Sequence, residues 1–419
     1  SIVLCLAQHG SLTIAQMKRH WFALSACLYL VACGGSPAAG SSISPSAVAA
    51  ASSQPSGGGG ANISSVSGPS ANTSAATGSS ASAGAAASPS AAAVGVSPAI
   101  TQAKLNELYE PAKKDGEVIW GEGGDSSRYA PVVDAFQKRF PGVKLTVTLI
   151  DTPTISTRLM TESQAKRVTL DVPTSSMTSL DTLLQRNLVL SHDNIKQAVP
   201  DPKAIGLDGK VFWIQDLLLG WVYNTRLVSQ ADLPKTWDDF LNPKWQGKFV
   251  FHRTAAGFEM LAGIWDDAKI TSYLNRMAQQ NPLQVNTPAD GQAKVANGES
   301  LFTTATTLDG ALSSVRTDGA PLGIVPVGPI YGAPQGLFTV PGIPHPAAAE
   351  LFMLWMTTDE GKQAMAAAQV GRYNPCGPLP VDQALCGKNV DVWYADTIDK
   401  ARTAARVRVL EAKALGFAS

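Results

Sequence analysis

Three short segments carry residue types suited to holding a small molecule, and each segment follows a predicted strand. They are residues 121–127, 175–176 and 253–254. The first, residues 121–127, combines glycines, which let a ligand approach the backbone closely, with two serine hydroxyls. In open α/β sheets, ligands bind beyond the carboxyl ends of strands, where amides at helix N-termini can receive them. We therefore expect the three segments to contribute to a binding site. The candidate ligand-binding residues within them are Gly123, Asp125, Ser126, Ser127, Ser175, Ser176, Arg253 and Thr254.

Arg253 is the candidate best suited to an anionic ligand group, because a guanidinium donates paired hydrogen bonds to a carboxylate or a phosphate. The same side chain is also compatible with a solvated surface charge. Ser126 or Ser175 is compatible with a helix cap instead of a ligand contact. The sequence leaves both interpretations open for each of these residues.

Aromatic and hydroxyl side chains extend the candidate site. We expect Tyr223 and Tyr331 to line it, since a tyrosine ring offers apolar area with a polar tip. Core packing is an equal alternative for Tyr223. Thr303 and Thr304, at the end of another predicted strand, are weaker candidates.

Histidine spacing and glycine placement argue against metal and catalytic chemistry. His192, His252 and His345 do not form a metal-ligand spacing, and we predict neither a bound metal nor a cofactor. Residues 121–126 mimic a dinucleotide fingerprint, but Ser126 stands where a third glycine would allow close helix packing. The chain also lacks a Walker loop and a Gly-x-Ser-x-Gly elbow. We therefore predict that the protein is not an enzyme.

The elements that must position these residues alternate between strands and helices. Such alternation is typical of a parallel sheet with helices on both faces, so the sequence predicts an α/β fold. An apolar run with strand character follows at 211–223. The predicted helices of the first half cover 102–115, 131–140, 157–167 and 179–186, and the predicted strands cover 117–120, 143–150 and 169–172.

Almost all charged residues lie in one part of the 419-residue chain. Residues 34–100 contain no Asp, Glu, Lys, Arg or aromatic residue, and this composition predicts a disordered linker. Residues 101–419 form a near-neutral domain, because only Lys18 and Arg19 of the 33 basic residues precede it. A neutral domain without a basic stripe argues against nucleic acid as a partner. No segment after residue 33 offers the ~20 consecutive apolar residues that a membrane span needs.

The N-terminal region, residues 1–33, has the organisation of a secretory signal. A short basic stretch precedes an apolar core and small residues, and residues 1–16 are interpreted as lying upstream of the true start. Leu30-Val31-Ala32-Cys33 is similar to the lipobox of bacterial lipoproteins, which implies that Cys33 is lipidated. The alternative is an ordinary signal peptide with an incidental cysteine. We expect an exported protein held by lipid at the outer face of the cell membrane.

Two further cysteines, Cys376 and Cys386, stand ten residues apart in a segment rich in proline and glycine. In an exported protein, such a pair favours a disulfide that closes a small loop. Half of a metal site is the alternative, although neither a histidine nor a third cysteine lies nearby.

Several local patterns, in this order and spacing, carry a resemblance to a known family. They include Asp115-Gly116-Glu117-Val118-Ile119-Trp120, Val222-Tyr223-Asn224-Thr225, Pro234-Lys235-Thr236-Trp237-Asp238-Asp239-Phe240, Pro243-Lys244-Trp245-Gln246-Gly247-Lys248 and Thr358-Asp359-Glu360-Gly361. Over roughly residues 104–375, the domain resembles the extracellular solute-binding proteins of ABC importers. The class in question is two-lobed and includes ferric-iron, thiamine, polyamine and phosphonate binders.

The resemblance implies a periplasmic-binding-protein-like fold, with two α/β lobes joined by crossover strands and a ligand cleft between them. Lobe one is expected at about 104–218 and 323–370, and lobe two at about 219–322 and 371–419. The crossovers are expected near Tyr223-Asn224 and Gly328-Pro329. The resemblance also makes Pro344-His345-Pro346 the start of a helix rather than a metal site.

The function implied is capture of a small solute and its delivery to an ABC permease in the cytoplasmic membrane, by a monomer. Ferric binders of the class use adjacent tyrosines, and this chain has no Tyr-Tyr pair. A small organic anion or a chelated metal is therefore favoured over bare Fe³⁺. The alternative is a sensing or surface-presenting protein on the same fold without a transport role.

Overall fold

The computed structural model describes residues 96–123, 126–150, 154–253, 256–304 and 306–417. All of them belong to one compact unit that spans residues 87–419. The signal region, Cys33 and most of the predicted linker lie outside the described residues. The first described helix begins at Pro98, inside the segment predicted as linker. Proline is well suited to the first turn of a helix, because its φ is already helical and its missing N–H would have no partner there.

Twelve α-helices occur within the described residues. They are α1 (Pro98–Asp115), α2 (Ala130–Arg139), α3 (Ile155–Gln164), α4 (Met177–Leu184), α5 (Asp193–Lys196), α6 (Asp267–Gln279), α7 (Pro288–Ala296), α8 (Leu308–Asp318), α9 (Pro346–Met356), α10 (Asp359–Ala367), α11 (Pro380–Leu385) and α12 (Ile398–Leu415).

Local capping explains where several of these helices begin. Thr287, Thr307, Thr358 and Thr397 precede α7, α8, α10 and α12, and each hydroxyl accepts a hydrogen bond from a backbone N–H of the first turn. A threonine in this position satisfies a donor that the helix itself leaves unpaired.

The first sheet has seven strands in the described part of the chain. They are β1 (Glu117–Glu122), β2 (Lys144–Leu149), β3 (Val172–Ser176), β4 (Ile205–Gly206), β5 (Val211–Leu219), β11 (Ile330–Leu337) and β12 (Val392–Tyr394). Their order is β2-β1-β3-β11-β5-β4, with β12 also paired to β11. β1 runs parallel to β2 and β3, whereas β11 runs antiparallel to β3 and β5.

The second sheet has five described strands. They are β6 (Val222–Asn224), β7 (Phe249–His252), β8 (Leu283–Val285), β9 (Phe302–Thr303) and β10 (Leu322–Ile324). Their order is β10-β6-β9-β7-β8. β7 runs parallel to β8 and β9, whereas β6 is antiparallel to both of its neighbours.

The path of the chain divides the structure into two α/β lobes, one around each sheet. The chain leaves the first sheet after Leu219 and joins the second at Val222. It returns to the first sheet between Ile324 and Ile330, a segment that includes Gly328-Pro329. The predicted α/β class is confirmed. The first crossover lies at Gly220-Trp221, just before the predicted Tyr223-Asn224.

The sequence led us to expect the tail after residue 370 in lobe two. In the structure, only part of the tail lies with that lobe. β12 pairs with β11 in the first sheet, at Ile330 to Gly332. In α12, Arg406 pairs with Asp267 of lobe two, whereas Arg402 pairs with Asp181 of lobe one. The last helix therefore contacts both lobes.

Each lobe has its own aromatic core. In lobe one, Phe136 packs edge-on against Phe352 and Trp355, with ring centroids 5.3 Å apart in both pairs. In lobe two, Trp221 stacks on Phe240 with centroids 4.0 Å apart. The separation is not complete, because the cluster around Trp221 also includes Tyr331 and Ala333 of β11 in the first sheet.

The helices of the described residues include none that is both long enough and apolar enough to cross a membrane.

Candidate functional site

The carboxyl ends of the parallel strands point toward the junction of the two lobes. In lobe one, β5 runs parallel to β3, because both are antiparallel to β11. In lobe two, β7 and β9 are parallel. A bridge between Leu219, at the end of β5, and Thr307, which follows β9, brings the two sets of strand ends together. We call the space between the lobes at these strand ends the interlobe cleft. Its described residues are 122–123, 126–129 and 174–178 of lobe one, and 253, 256–259, 303–304 and 306–309 of lobe two.

Glu122, the last residue of β1, places a buried carboxyl group at the cleft. Its Oε1 accepts hydrogen bonds from the backbone N–H of Gly123 at 3.1 Å and from Nε2 of Gln215 at 3.2 Å. Its Oε2 is buried and has no hydrogen-bond partner among the described residues. Burial raises the pKa of Glu122 from its ordinary 4.5 to about 7, although nearby hydrogen-bond donors oppose the rise. At neutral pH the group is therefore poised between acid and carboxylate.

The guanidinium of Arg128 in lobe one interacts electrostatically with the carboxyl group of Asp309 in lobe two. Arg128, in the turn after β1, donates to the carbonyls of Ala368 at 2.9 Å and Gln369 at 2.8 Å. Asp309 lies in the first turn of α8. Burial raises the pKa of Asp309 to about 6, and the guanidinium of Arg128 is the largest influence that opposes this rise. The turn after β1 and the start of α8 thus share one electrostatic environment.

Arg253 follows β7 and presents an exposed side chain in lobe two. Its backbone N–H donates to the carbonyl of Val285 at 3.0 Å, which fixes the backbone beside β8. No ion pair to its guanidinium is formed by the described part of the chain. An anchored backbone with an uncommitted cation is the arrangement that an anion-binding residue needs.

The serine candidates fall into two groups. Ser126 and Ser127 are exposed in the turn after β1, and Gly123 is half-buried beside them. Ser176 is half-buried at the end of β3, immediately before α4, and does not cap that helix through its side chain. Ser175 is fully buried, and its hydroxyl has no partner within the described residues. Asp125 and Thr254 lie outside the described residues.

Comparison with known proteins places this arrangement in a family. The family model of the bacterial extracellular solute-binding proteins matches residues 132–377. The chain belongs to this family. No curated protein sequence matches the chain.

Solved structures of other solute-binding proteins share the fold. Iron-bound HitA from Pseudomonas aeruginosa is 17% identical with a TM-score of 0.56, over 71% of this chain and 99% of that one. FutA from Trichodesmium, in complex with iron and citrate, is 15% identical with a TM-score of 0.58, over 72% and 100%. AfuA from Actinobacillus pleuropneumoniae, with fructose-6-phosphate bound, is 16% identical with a TM-score of 0.53, over 72% and 98%. At these identities the likeness concerns the fold, and it confirms the two-lobed architecture of the solute-binding protein.

Four candidates of the solute-binding protein are placed elsewhere than the sequence led us to expect. Tyr331 is 1% exposed, and its hydroxyl bonds Thr178 and Arg408 in the junction between lobes, so the residue is not free to line the cleft. Burial raises its pKa to about 12. Thr303 and Thr304 are fully buried beneath the cleft. Tyr223 lies at the other end of the second sheet, because β6 runs opposite to β7 and β9.

Two smaller predictions concern residues outside the cleft. Cys376 and Cys386 are joined by a disulfide, so that prediction is confirmed. His345 immediately precedes α9, and its Nδ1 lies 2.9 Å from Oδ2 of Asp171. Within the described residues, no group of three or more His, Cys, Asp or Glu is arranged to hold a metal ion.

Sequence reasoning did not single out Glu122, Arg128 or Asp309. Glu122 and Arg128 flank the candidates after β1, so their position after a strand was a usable signal. Asp309 was not detectable in this way, because its role depends on the bridge that brings Thr307 to the end of β5. That contact joins residues almost ninety apart in sequence.

Proposed function

We propose that this chain is a lipid-anchored solute-binding protein that captures a small organic anion or a chelated metal and delivers it to an ABC importer. The ligand is bound without chemical change, by a monomer, and the lobes close around it. The observation that carries the ligand class is the exposed guanidinium of Arg253 at the carboxyl end of β7, without an ion-pair partner in the described residues.

The charges around the cleft support an anionic ligand group. The hydrogen bonds of Arg128 go to neutral carbonyls rather than to a carboxylate. Glu122 and Asp309 both have raised pKa values, which reduces the negative charge that they present. A site with two guanidinium groups and weakened carboxylates attracts anions from solution.

The ligands named for two related structures fit this class. FutA is described with iron and citrate, and AfuA with fructose-6-phosphate. Citrate and fructose-6-phosphate are small and anionic, and citrate is also a metal chelator. They are ligands of those proteins, and for this chain they indicate which compounds to test first.

A thermal-shift screen tests the ligand class. The compounds are carboxylates, phosphonates, sugar phosphates, polyamines, thiamine and ferric citrate. A ligand that binds only the folded protein raises its melting temperature by mass action. We expect at least one anion to produce a shift, and we expect Arg253→Ala to weaken its binding at least about tenfold, the loss typical of a charge-assisted hydrogen bond.

Arg186→Ala is the matched control, because Arg186 is also an exposed arginine but lies after α4, away from the strand ends. It should leave the shift unchanged. If only polyamines or thiamine shift the melting temperature, the ligand is a cation and the anion assignment is wrong. If Arg253→Ala and Arg186→Ala behave alike, Arg253 is not part of the site.

Lipid anchoring and delivery have separate tests. In a bacterial host, the wild-type protein should fractionate with membranes, and Cys33→Ser should be released or remain unprocessed. A strain lacking the gene should lose uptake of the ligand found in the screen. Unchanged uptake, together with tight binding, would favour the sensing or presenting role over transport.

A further inference from the structure

Tyr223 belongs to a cavity at the end of the second sheet that faces away from the interlobe cleft. β6 is antiparallel to β9, so the carboxyl end of β6 points opposite to the ends of β7 and β9. Thr225 lies beyond that end, and its backbone N–H donates a hydrogen bond to the carbonyl of Pro321 at 2.9 Å. Whatever the cavity binds therefore cannot also contact Arg253 and its neighbours.

The cavity has the size and composition of a small-molecule site. Its volume is about 530 Å³, within the ~300–1,000 Å³ typical of ligand pockets. Apolar walls come from Leu233, Pro234, Leu312, Ile324 and Pro326. They belong to four separate parts of lobe two: the loop before residue 235, α8, the edge strand β10 and the connection after it. Such walls suit a compact apolar group.

Tyr223 supplies a polar group at this apolar surface. Tyr223 is 5% exposed. Burial raises the pKa of its hydroxyl, so the hydroxyl stays protonated at neutral pH and can donate a hydrogen bond. The hydroxyl has no hydrogen-bond partner in the described part of the chain. The ring fits only because residue 323 is glycine, since a Cβ there would lie 2.6 Å from Cε1 of Tyr223.

The charge of the cavity is positive. Lys235 and Lys388 line it, and no Asp or Glu is among its lining residues. Neither lysine forms an ion pair with a described residue, whereas lysines elsewhere on this lobe, such as Lys294, are paired with acidic neighbours. Lys235 does interact electrostatically with Asp239, which lies outside the cavity lining. Two ammonium groups without an ion pair in the described residues, beside an apolar wall, favour a ligand with one anionic end and one apolar end.

We propose that this cavity is a second ligand site, for a small amphipathic carboxylate with an aromatic or branched apolar body. The carboxylate is held by Lys235 and Lys388, the Tyr223 hydroxyl donates to it, and the apolar body lies against Leu312 and Ile324. Because the site lies away from the cleft, it is independent of the solute captured there.

The test uses para-fluorophenylacetate and its neutral analogue para-fluorophenylacetamide, followed by fluorine NMR during titration with the full chain. We expect saturable binding of the acid and at least about tenfold weaker binding of the amide, since the amide lacks the charge that the lysines recognise. The double variant K235Q/K388Q should bind the acid at least about tenfold more weakly. Tyr223→Phe should weaken it by a smaller factor.

The control is K248Q/K413Q, which removes the same charge from two exposed lysines away from the cavity. It should bind the acid as the wild type does. Absence of saturable binding by the wild type at millimolar acid would overturn the proposal. So would undiminished binding by K235Q/K388Q, because the acid would then lie in the cleft or elsewhere.

Discussion

Arg408 donates a 2.6 Å hydrogen bond from Nε to Oε1 of Glu259, across 149 residues of sequence. Oε2 of the same carboxylate accepts from the backbone N–H of Gly257 at 2.7 Å. Glu259 is fully buried, and the guanidinium also bonds the hydroxyl of Tyr331 on β11. One ion pair thus joins the last helix, the segment that follows Arg253 and the strand that returns from lobe two.

Removing Arg408 should destabilise the protein strongly, because it leaves the Glu259 carboxylate buried without a counterion. We expect Arg408→Gln to lower the free energy of unfolding by about 3–5 kcal/mol, measured by urea denaturation. Arg406→Gln is the control, since Arg406 lies on the same helix as Arg408 and pairs with Asp267 of α6, with both side chains about half exposed. Its cost should stay below about 1 kcal/mol. Equal costs for the two variants would show that burial of Glu259 does not govern the pair.

Glu122 should make stability depend on pH. Its pKa rises from 4.5 in the unfolded chain to about 7 in the folded protein. The stabilisation is therefore complete below pH 4.5 and is lost as the pH rises through 7. The difference amounts to about 3 kcal/mol. Glu122→Gln, which cannot ionise, should lose less stability than the wild type between pH 5 and pH 8.

Chemical denaturation at several pH values measures this difference. Glu107→Gln is the control, because Glu107 is exposed on α1, and its pH profile should follow that of the wild type. Parallel profiles for Glu122→Gln and the wild type would mean that Glu122 is already ionised at pH 5 in the folded state.

The disulfide should contribute to stability by restricting the unfolded chain. Cys376 and Cys386 close a loop with a sequence separation of 10, for which the entropic model gives about 2–3 kcal/mol. We expect the double variant C376S/C386S to lose that amount in urea denaturation. Reductant should destabilise the wild type similarly and leave the variant unaffected. An effect of reductant on the variant would point to a cause other than this bond.

The helices and strands of lobe one were largely predictable from sequence up to residue 186. Strand β11, in which the chain returns from lobe two to the first sheet, was not. In the first half, apolar periodicity and Pro-Gly stops separate short helices from short strands, so the predicted elements overlap the observed ones. β11 carries Gly332, Pro334 and Gly336, residues that normally argue against a central strand. Here the ladder shifts register between Gln335 and Gly336. A Cβ at Gly336 would lie 2.3 Å from Val211, so packing against β5 requires the glycine.

Sequence patterns placed a candidate residue correctly only where they also implied the direction of the strand before it. Ser126 and Arg253 follow strands, and Ser176 ends a strand, whose carboxyl ends face the junction of the lobes. Tyr223 also follows an apolar strand, but β6 runs the other way. Direction depends on pairing between distant strands, which single-sequence patterns do not report. For the same reason, the sequence did not indicate that Tyr331 contacts Arg408.

Asp171 should be essential for joining β1 to α9. Its fully buried carboxylate accepts from the backbone N–H groups of His345 and Ile119, both at 2.7 Å, and lies 2.9 Å from Nδ1 of His345. Asp171→Asn would place an amide N–H₂ against these donors. Because each buried group left unsatisfied costs about 1–3 kcal/mol, we expect a loss of at least about 2 kcal/mol in urea denaturation.

Asp318→Asn makes the same chemical change at an exposed position at the end of α8, and its effect should stay within about 0.5 kcal/mol. His345→Ala separates the two kinds of contact that Asp171 makes. It removes the ring but retains both backbone donors, so it should cost less than Asp171→Asn. If His345→Ala proved the more damaging change, the ring rather than the two backbone N–H groups would be the principal partner of Asp171, and the carboxylate could not be what ties β1 to the start of α9.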